Sequence, residues 1–168
     1  MMKIIMGCDH GGFELKETLK KVLIEKGYEV EDYGIHKQER VDYPDYAQKV
    51  GEAIASGKGD QGILICGTGI GMSIAANKVK GVRAALCNDC YSAAKARQHN
   101  NANVLCMGAR VLGPGLAQEI MEAYLNASFL GSYHEAVWKR SWPLKNKRGL
   151  ECETGRIGTG TGKNPLRN

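Results

Sequence analysis

The 168-residue sequence has no apolar run long enough to cross a membrane, no block of like charge before its last thirty residues or so, and no partner for its one C-x-x-C pair, Cys87 and Cys90. Each absence excludes something. The opening MMKIIMGCDH meets polar residues after one short apolar run, so it is neither a signal peptide nor a membrane span, and a cytoplasmic protein with no membrane partner is expected. The net charge of +5 is spread among acids over most of the chain, which points to a small anionic substrate rather than nucleic acid. A single C-x-x-C lacks the second pair that a zinc site wants. Cys8, Cys66, Cys87 and Cys106 lie in or beside apolar runs, which reads as reduced thiols and not as a disulfide framework.

What is present is the pattern of an α/β protein. Apolar runs end at residues 6, 66, 87 and 107, and a fifth segment, 28–33, alternates as a strand does. Between them, helical spacing is expected at 13–24, about 45–56, from about 72, at 91–99 and at 116–125. Strands alternating with helices, without internal repeats, predict a three-layer, doubly wound sandwich with a five-stranded parallel sheet, Rossmann-like in type. Residues 1–140 form the expected domain. From 141 onward the chain turns glycine-rich and basic, with no apolar periodicity, and reads as a flexible or partner-bound tail. Its GTGTGK is not a phosphate loop: the first glycine of that motif would fall on Ile157, and Asn164 stands where Ser or Thr is required.

In open α/β sheets ligands bind beyond the carboxyl ends of the strands. The first strand is followed by Cys8, Asp9 and His10. The third is followed by Cys66, Gly67, Thr68, Gly69, Ile70 and Gly71, and the fifth is preceded by His99 and Asn100. An acid, a thiol, a hydroxyl, two imidazoles and an amide are therefore expected on one rim. The glycine loop lets main-chain N–H groups approach an anion, which suits a carboxylate, an enediolate or a phosphate. It is not a dinucleotide fingerprint, because the spacing is G-x-G-x-G and the loop follows the third strand. Cys66 reads as a nucleophile, a base or an inert core thiol. His10, His99 and Asp9 each have a structural alternative as loop or helix-end caps.

The segments GCDHGG, DYPDYA, ILICGTGIGMSIAANKVKGVRAALC and RQHNNANVLCMGAR, with the glycine before SYHEAV, occur in the order seen in one family. Over about residues 2–136 the chain resembles ribose-5-phosphate isomerase type B and the galactose-6-phosphate isomerase subunits. The resemblance implies an aldose–ketose isomerase without metal or organic cofactor, acting as a homodimer or dimer of dimers with interfacial sites. It implies that Cys66 moves the proton from C2 to C1, and that Thr68 and the amides of Gly67, Gly69, Ile70 and Gly71 hold the enediolate charge. It further implies that His99 opens the sugar ring, Asp9 orients hydroxyls, Tyr43 lines the pocket, and Asn100 binds beside the loop. His10, Arg110 and His134 would face the phosphate.

Two arginines that grip the phosphate in the family correspond here to Tyr133 and Val137. Charged hydrogen bonds contribute about 1.5 to 3 kcal/mol each, so their loss either shifts the task to Lys139 and Arg140 or marks a different sugar, phosphorylated or not.

Overall fold

A strand that is apolar at every position must be covered on both faces, whereas one that alternates can lie at an edge. The computed structural model, which describes residues 1–141, sorts the strands in this way. In chain order the elements are β1 (Lys3–Cys8), α1 (Phe13–Glu25), β2 (Glu29–Asp32), α2 (Tyr43–Ala55), β3 (Gln61–Cys66), α3 (Ile70–Ala76), β4 (Ala84–Leu86), α4 (Cys90–Asn100), β5 (Val104–Gly108), α5 (Pro114–Leu125) and α6 (Ser132–Ser141). The sheet is parallel throughout, in the order β2-β1-β3-β5-β4, so the three apolar strands are central. Every residue of β3 and β5 is buried, and no residue of β2 or β4 is.

Alternate side chains of the central strands enter two cores. Ile4, Met6, Ile63, Ile65, Leu105 and Met107 meet α1, α4 and α5 on one face. Ile5, Leu64, Val104 and Cys106 meet α2 and α3 on the other. The helix after β1 and the helix after β3 thus lie on opposite faces. The crevice where such winding reverses, between the carboxyl ends of β1 and β3, is the switch point at which ligands bind in sheets of this kind.

Element ends follow local chemistry. Helix α2 begins at Tyr43, two residues before the expected start, because extended Asp42 precedes it and Pro44 fits its first turn. Pro114 likewise starts α5 earlier than expected. The Asp89 carboxylate accepts from Ser92 N at 2.7 Å and caps α4. Strand β4 is shorter than the apolar run 82–87: Arg83 N donates to the Asn103 side chain at 2.7 Å instead of joining the ladder. Asn77 ties α3 to β4, its side chain accepting from Ala84 N at 2.9 Å and donating to Ala84 O at 2.8 Å. The expected domain, 1–140, coincides with nearly all of the described residues. The tail expected over 141–168 lies, but for its first residue, outside them. Among the described residues no helix is long and apolar enough to cross a membrane.

One buried polar contact ties the end of α5 to the amino edge of the sheet. The Tyr124 hydroxyl, fully buried, lies 2.7 Å from Gln61 Oε1 and 2.9 Å from Ala102 O. Tyr124→Phe strands both acceptors and is expected to lower stability by about 1 to 3 kcal/mol, read in denaturant unfolding, with catalytic rates unchanged.

Candidate active site

The loops after β1 and β3 meet at the switch point. Asp9 N donates to Ile65 O at 3.3 Å, extending the β1–β3 pairing by one residue past Cys8. Asp9, almost fully buried, accepts from Gly11 N and Gly12 N at 2.9 and 3.1 Å through Oδ1. It therefore shapes the turn leading into α1 from three residues ahead of the N-cap, which is Gly12. The loop after β5 closes the third side: Arg110 N donates to Gly67 O at 2.9 Å, and the Arg110 side chain runs beside Gly67.

Cys66 is the last residue of β3 and is 5% exposed. Gly69 N donates to its Sγ at 3.1 Å. That bond needs the left-handed backbone of Gly69 (φ +76°), and a Cβ there would run into Leu86 and the main chain of Met107. The loop is thus folded around the sulfur, and negative charge on Sγ would face an N–H dipole. Burial pushes Cys8 and Cys87 up to about 11, and complete burial holds Cys106 well above the ordinary thiol value. Ile70 N points to Thr68 Oγ1 at 3.3 Å, so two of the four amides expected to face a ligand are turned toward the loop's own side chains.

Tyr43, at the start of α2, lays its ring on Gly71, where a Cβ would lie 2.9 Å from the ring; only glycine permits this approach. His10 Nδ1 lies 3.1 Å from Val41 O, and Gln38 Nε2 donates to His10 O at 3.0 Å. A cavity of about 410 Å³ opens beside these residues, lined by His10, Gly11, Glu14, Gln38, Arg110 and Pro114 among others.

The expectation of one shared rim is corrected by the topology. In a parallel sheet a helix that follows one strand and precedes the next runs back to the amino edge. His99 and Asn100 end α4, just before β5, and Asn103 O accepts from Gly62 N at the beginning of β3. Cys66 instead pairs with Gly108 at the end of β5. Counted along β5, the first residue stands four steps of roughly 3.3 Å, about 13 Å, from the level of Cys66, and His99, which precedes β5, lies toward the opposite edge. Asp9, His10, Tyr43, Cys66, Gly67, Thr68, Gly69, Ile70, Gly71 and Arg110 form a carboxyl-edge group, and His99, Asn100 and His134 an amino-edge group.

The amino-edge group is organised by rings. His134 from α6 stacks on His99 with centroids 4.2 Å apart and planes 6° from parallel, and Tyr133 meets His134 edge-on at 5.8 Å. Leu130 N, just before α6, donates to Gln98 O of α4 at 3.0 Å, and the Arg83 guanidinium, just before β4, lies 4.9 Å from the centre of the Trp138 ring, so α6 is held to α4 and to the start of β4. Partial desolvation, then the neighbouring His134 and Lys95, hold His99 below the ordinary imidazole value, which favours its neutral form. Residues not singled out in the sequence also serve the site: Val41 and Gln38 hold His10, and neither carries a signal in a loop of mixed polarity. Among the described residues no three His, Cys, Asp or Glu side chains group to hold a metal ion.

A family model described as Ribose/Galactose Isomerase matches residues 4–140. The chain is 53% identical over 135 residues to ribose-5-phosphate isomerase B of Escherichia coli K12, covering 80% of this chain and 91% of that one. It is 51% identical over 132 residues to a D-erythrulose-4-phosphate isomerase of Pectobacterium atrosepticum, covering 78% and 87%. The solved ribose-5-phosphate isomerase B of Clostridium thermocellum superposes with a TM-score of 0.85 at 49% identity, over 87% of this chain and 99% of that one. Fold and relatives define a sugar-phosphate isomerase, an enzyme that interconverts an aldose and a ketose. The chain belongs to the ribose/galactose isomerase family.

The stacked pair yields a measurable sign. His134→Ala removes the stacked neighbour that disfavours the imidazolium and opens one face of the His99 ring to water, and both changes raise the His99 pKa toward the ordinary value. An NMR titration of the His99 ring protons in the variant should show this rise; an unchanged or lower value would mean that the stack does not tune His99.

Proposed function

We propose that this enzyme interconverts D-ribose 5-phosphate and D-ribulose 5-phosphate through a cis-enediolate, with Cys66 as the base and His99 as the ring-opening group. The observation that carries the reading is the Cys66 sulfur, set at the switch point inside a glycine loop whose Gly69 N–H reaches it. His99 takes the proton of the O1 hydroxyl and, as the bond between C1 and the ring oxygen breaks, gives it to that oxygen, which frees the C1 aldehyde. The Cys66 thiolate then removes the proton from C2. The electron pair moves into a C1–C2 double bond, and the charge resides on the enediolate oxygens, near Thr68 and the loop amides. Return of the proton to C1, with transfer of the O2 hydroxyl proton to O1, gives the ketose and restores the thiolate. Asp9 orients hydroxyls, Tyr43 and Asn100 line the sugar, and His10, Arg110 and His134 face the phosphate. No metal or organic cofactor enters this scheme. The free cysteines among the described residues suit the cytoplasm.

The base and the ring-opening imidazole of one chain are too far apart to meet on one sugar. That separation supports a homodimer in which the carboxyl edge of one copy receives the amino edge of another, twice by symmetry. Exposed Tyr43, Ile70 and Ile74 near one edge and Leu130, Tyr133 and Val137 near the other are surfaces such a contact would cover. A dimer of dimers is compatible with the same pairing.

A second substrate is favoured by two observations: Tyr133 and Val137 replace arginines expected at the phosphate, and a relative of 51% identity is named D-erythrulose-4-phosphate isomerase. A four-carbon sugar carrying phosphate on O4 cannot close a furanose ring, so its isomerisation requires Cys66 and not ring opening by His99.

Deuterium uptake separates the roles. In D2O, His99→Asn should still exchange a C1 proton of ribulose 5-phosphate, which is already open-chain, while turnover of ribose 5-phosphate collapses; Cys66→Ala should abolish both. Loss of exchange in His99→Asn would overturn the ring-opening role. Mixing the two inactive variants under subunit exchange tests the pairing. Half of the dimers become mixed and each has one intact site, so activity should return to about a quarter of wild type for an isologous dimer. A mixture that stays inactive would mean that each site draws both residues from one chain.

A further inference from the structure

We propose that Lys16 is a positioning residue of the carboxyl-edge group, acting through the 33–42 loop to set His10 and Tyr43; the substrate contacts of those two residues rest on the function proposed above. Lys16 stands on the inward face of α1 beside Leu15, Leu19 and Leu23, and it is completely buried. An ammonium there is unfavourable unless every proton is taken up. Three oxygens do so, each at 2.7 Å: Asp32 Oδ2, Glu17 Oε1 and the main-chain carbonyl of Ile35. Asp32, the last residue of β2, also accepts from Lys20 Nζ at 2.8 Å and from Gly34 N at 2.9 Å.

A leucine or methionine would fill the same space on α1. What the ammonium adds is direction, because its bond to Ile35 O grips the loop just beyond the sheet. Gly34 is pressed against the backbone of Cys8, and Ile35 is buried in the core, so the departure of the loop is fixed at two adjacent points. From there the chain crosses His10. Gln38 Nε2 donates to His10 O, and Val41 O, 3.1 Å from Nδ1, orients the imidazole. Two residues later Tyr43 begins α2 with its ring on Gly71. One buried charge thus stands at the root of a segment that ends on two site residues, neither of which it touches.

Steady-state kinetics of the full chain with ribose 5-phosphate test this in three variants. Lys16→Met should raise KM about tenfold or more while kcat stays within about threefold, since lost ground-state and transition-state binding move together. Asp32→Asn, which weakens the clamp but leaves the Ile35 bond, should give a smaller rise. Lys20→Met, which leaves Lys16 and Ile35 joined, should match wild type. A lower Tm with KM unchanged in both Lys16→Met and Asp32→Asn would overturn the proposal, as that is the behaviour of a purely structural lysine. Should Lys16→Met fail to fold, Asp32→Asn decides by the same criterion. Failure of the wild type to turn over ribose 5-phosphate would refute the substrate and leave Lys16 to a second readout. In that readout the ring ¹⁵N signals of His10 should move toward those of a free imidazole in Asp32→Asn, and unchanged signals would overturn the role.

Discussion

The strands of this protein all point the same way, and its chemistry is organised by that constraint. A parallel sheet has two edges that the chain visits in strict alternation: every turn from strand to helix lies at one, every turn from helix to strand at the other. Asp9, Cys66 and Arg110 follow strands and so come together, although a hundred residues separate the first from the last. His99 precedes a strand and is therefore assigned to the opposite edge, whatever its side chain could do. The split between the two groups follows from connectivity before any side chain is considered.

Much of the architecture was legible because the apolar runs are unambiguous. The strands β1, β3 and β5 are apolar without alternation, and that pattern alone places them in the middle of a covered sheet. The exact strand order, with β5 inserted between β3 and β4, carries no such mark. Helix α6 was missed as an element because rings and a guanidinium attach it, not a periodic apolar face. The shared rim failed for a related reason: the rule for residues that follow strands was extended to His99, which precedes one. Lys16 could have been noticed, since a lysine beside Leu15 and in line with the buried face of α1 conflicts with that pattern. Its partners Asp32 and Ile35 could not have been found without the fold.

The thiols show how environment separates identical residues. Cys8, Cys87 and Cys106 are enclosed by apolar neighbours that disfavour charge, and they behave as small hydrophobes. Cys66 shares the core at its back, yet its sulfur looks into a loop with an N–H aimed at it. The difference is position: Cys106 stands level with Leu64, two residues deeper, whereas Cys66 ends β3 where the glycine loop begins. The glycines after it hold that loop tight enough for main-chain groups, rather than charged side chains, to face the sulfur.

In the proposed dimer, the distance between the two edges also ties catalysis to mass action. Where one sugar must be enclosed by the carboxyl edge of one copy and the amino edge of another, ligand binding and subunit association share a single free energy. A substrate that bridges the copies stabilises their union by an amount that grows with its concentration. Dilution then removes activity by separating subunits whose folds are intact, and a sugar phosphate restores it by drawing them together again. The metabolite pool would in this way set how much of the enzyme is assembled, with no regulatory site beyond the one that does the chemistry.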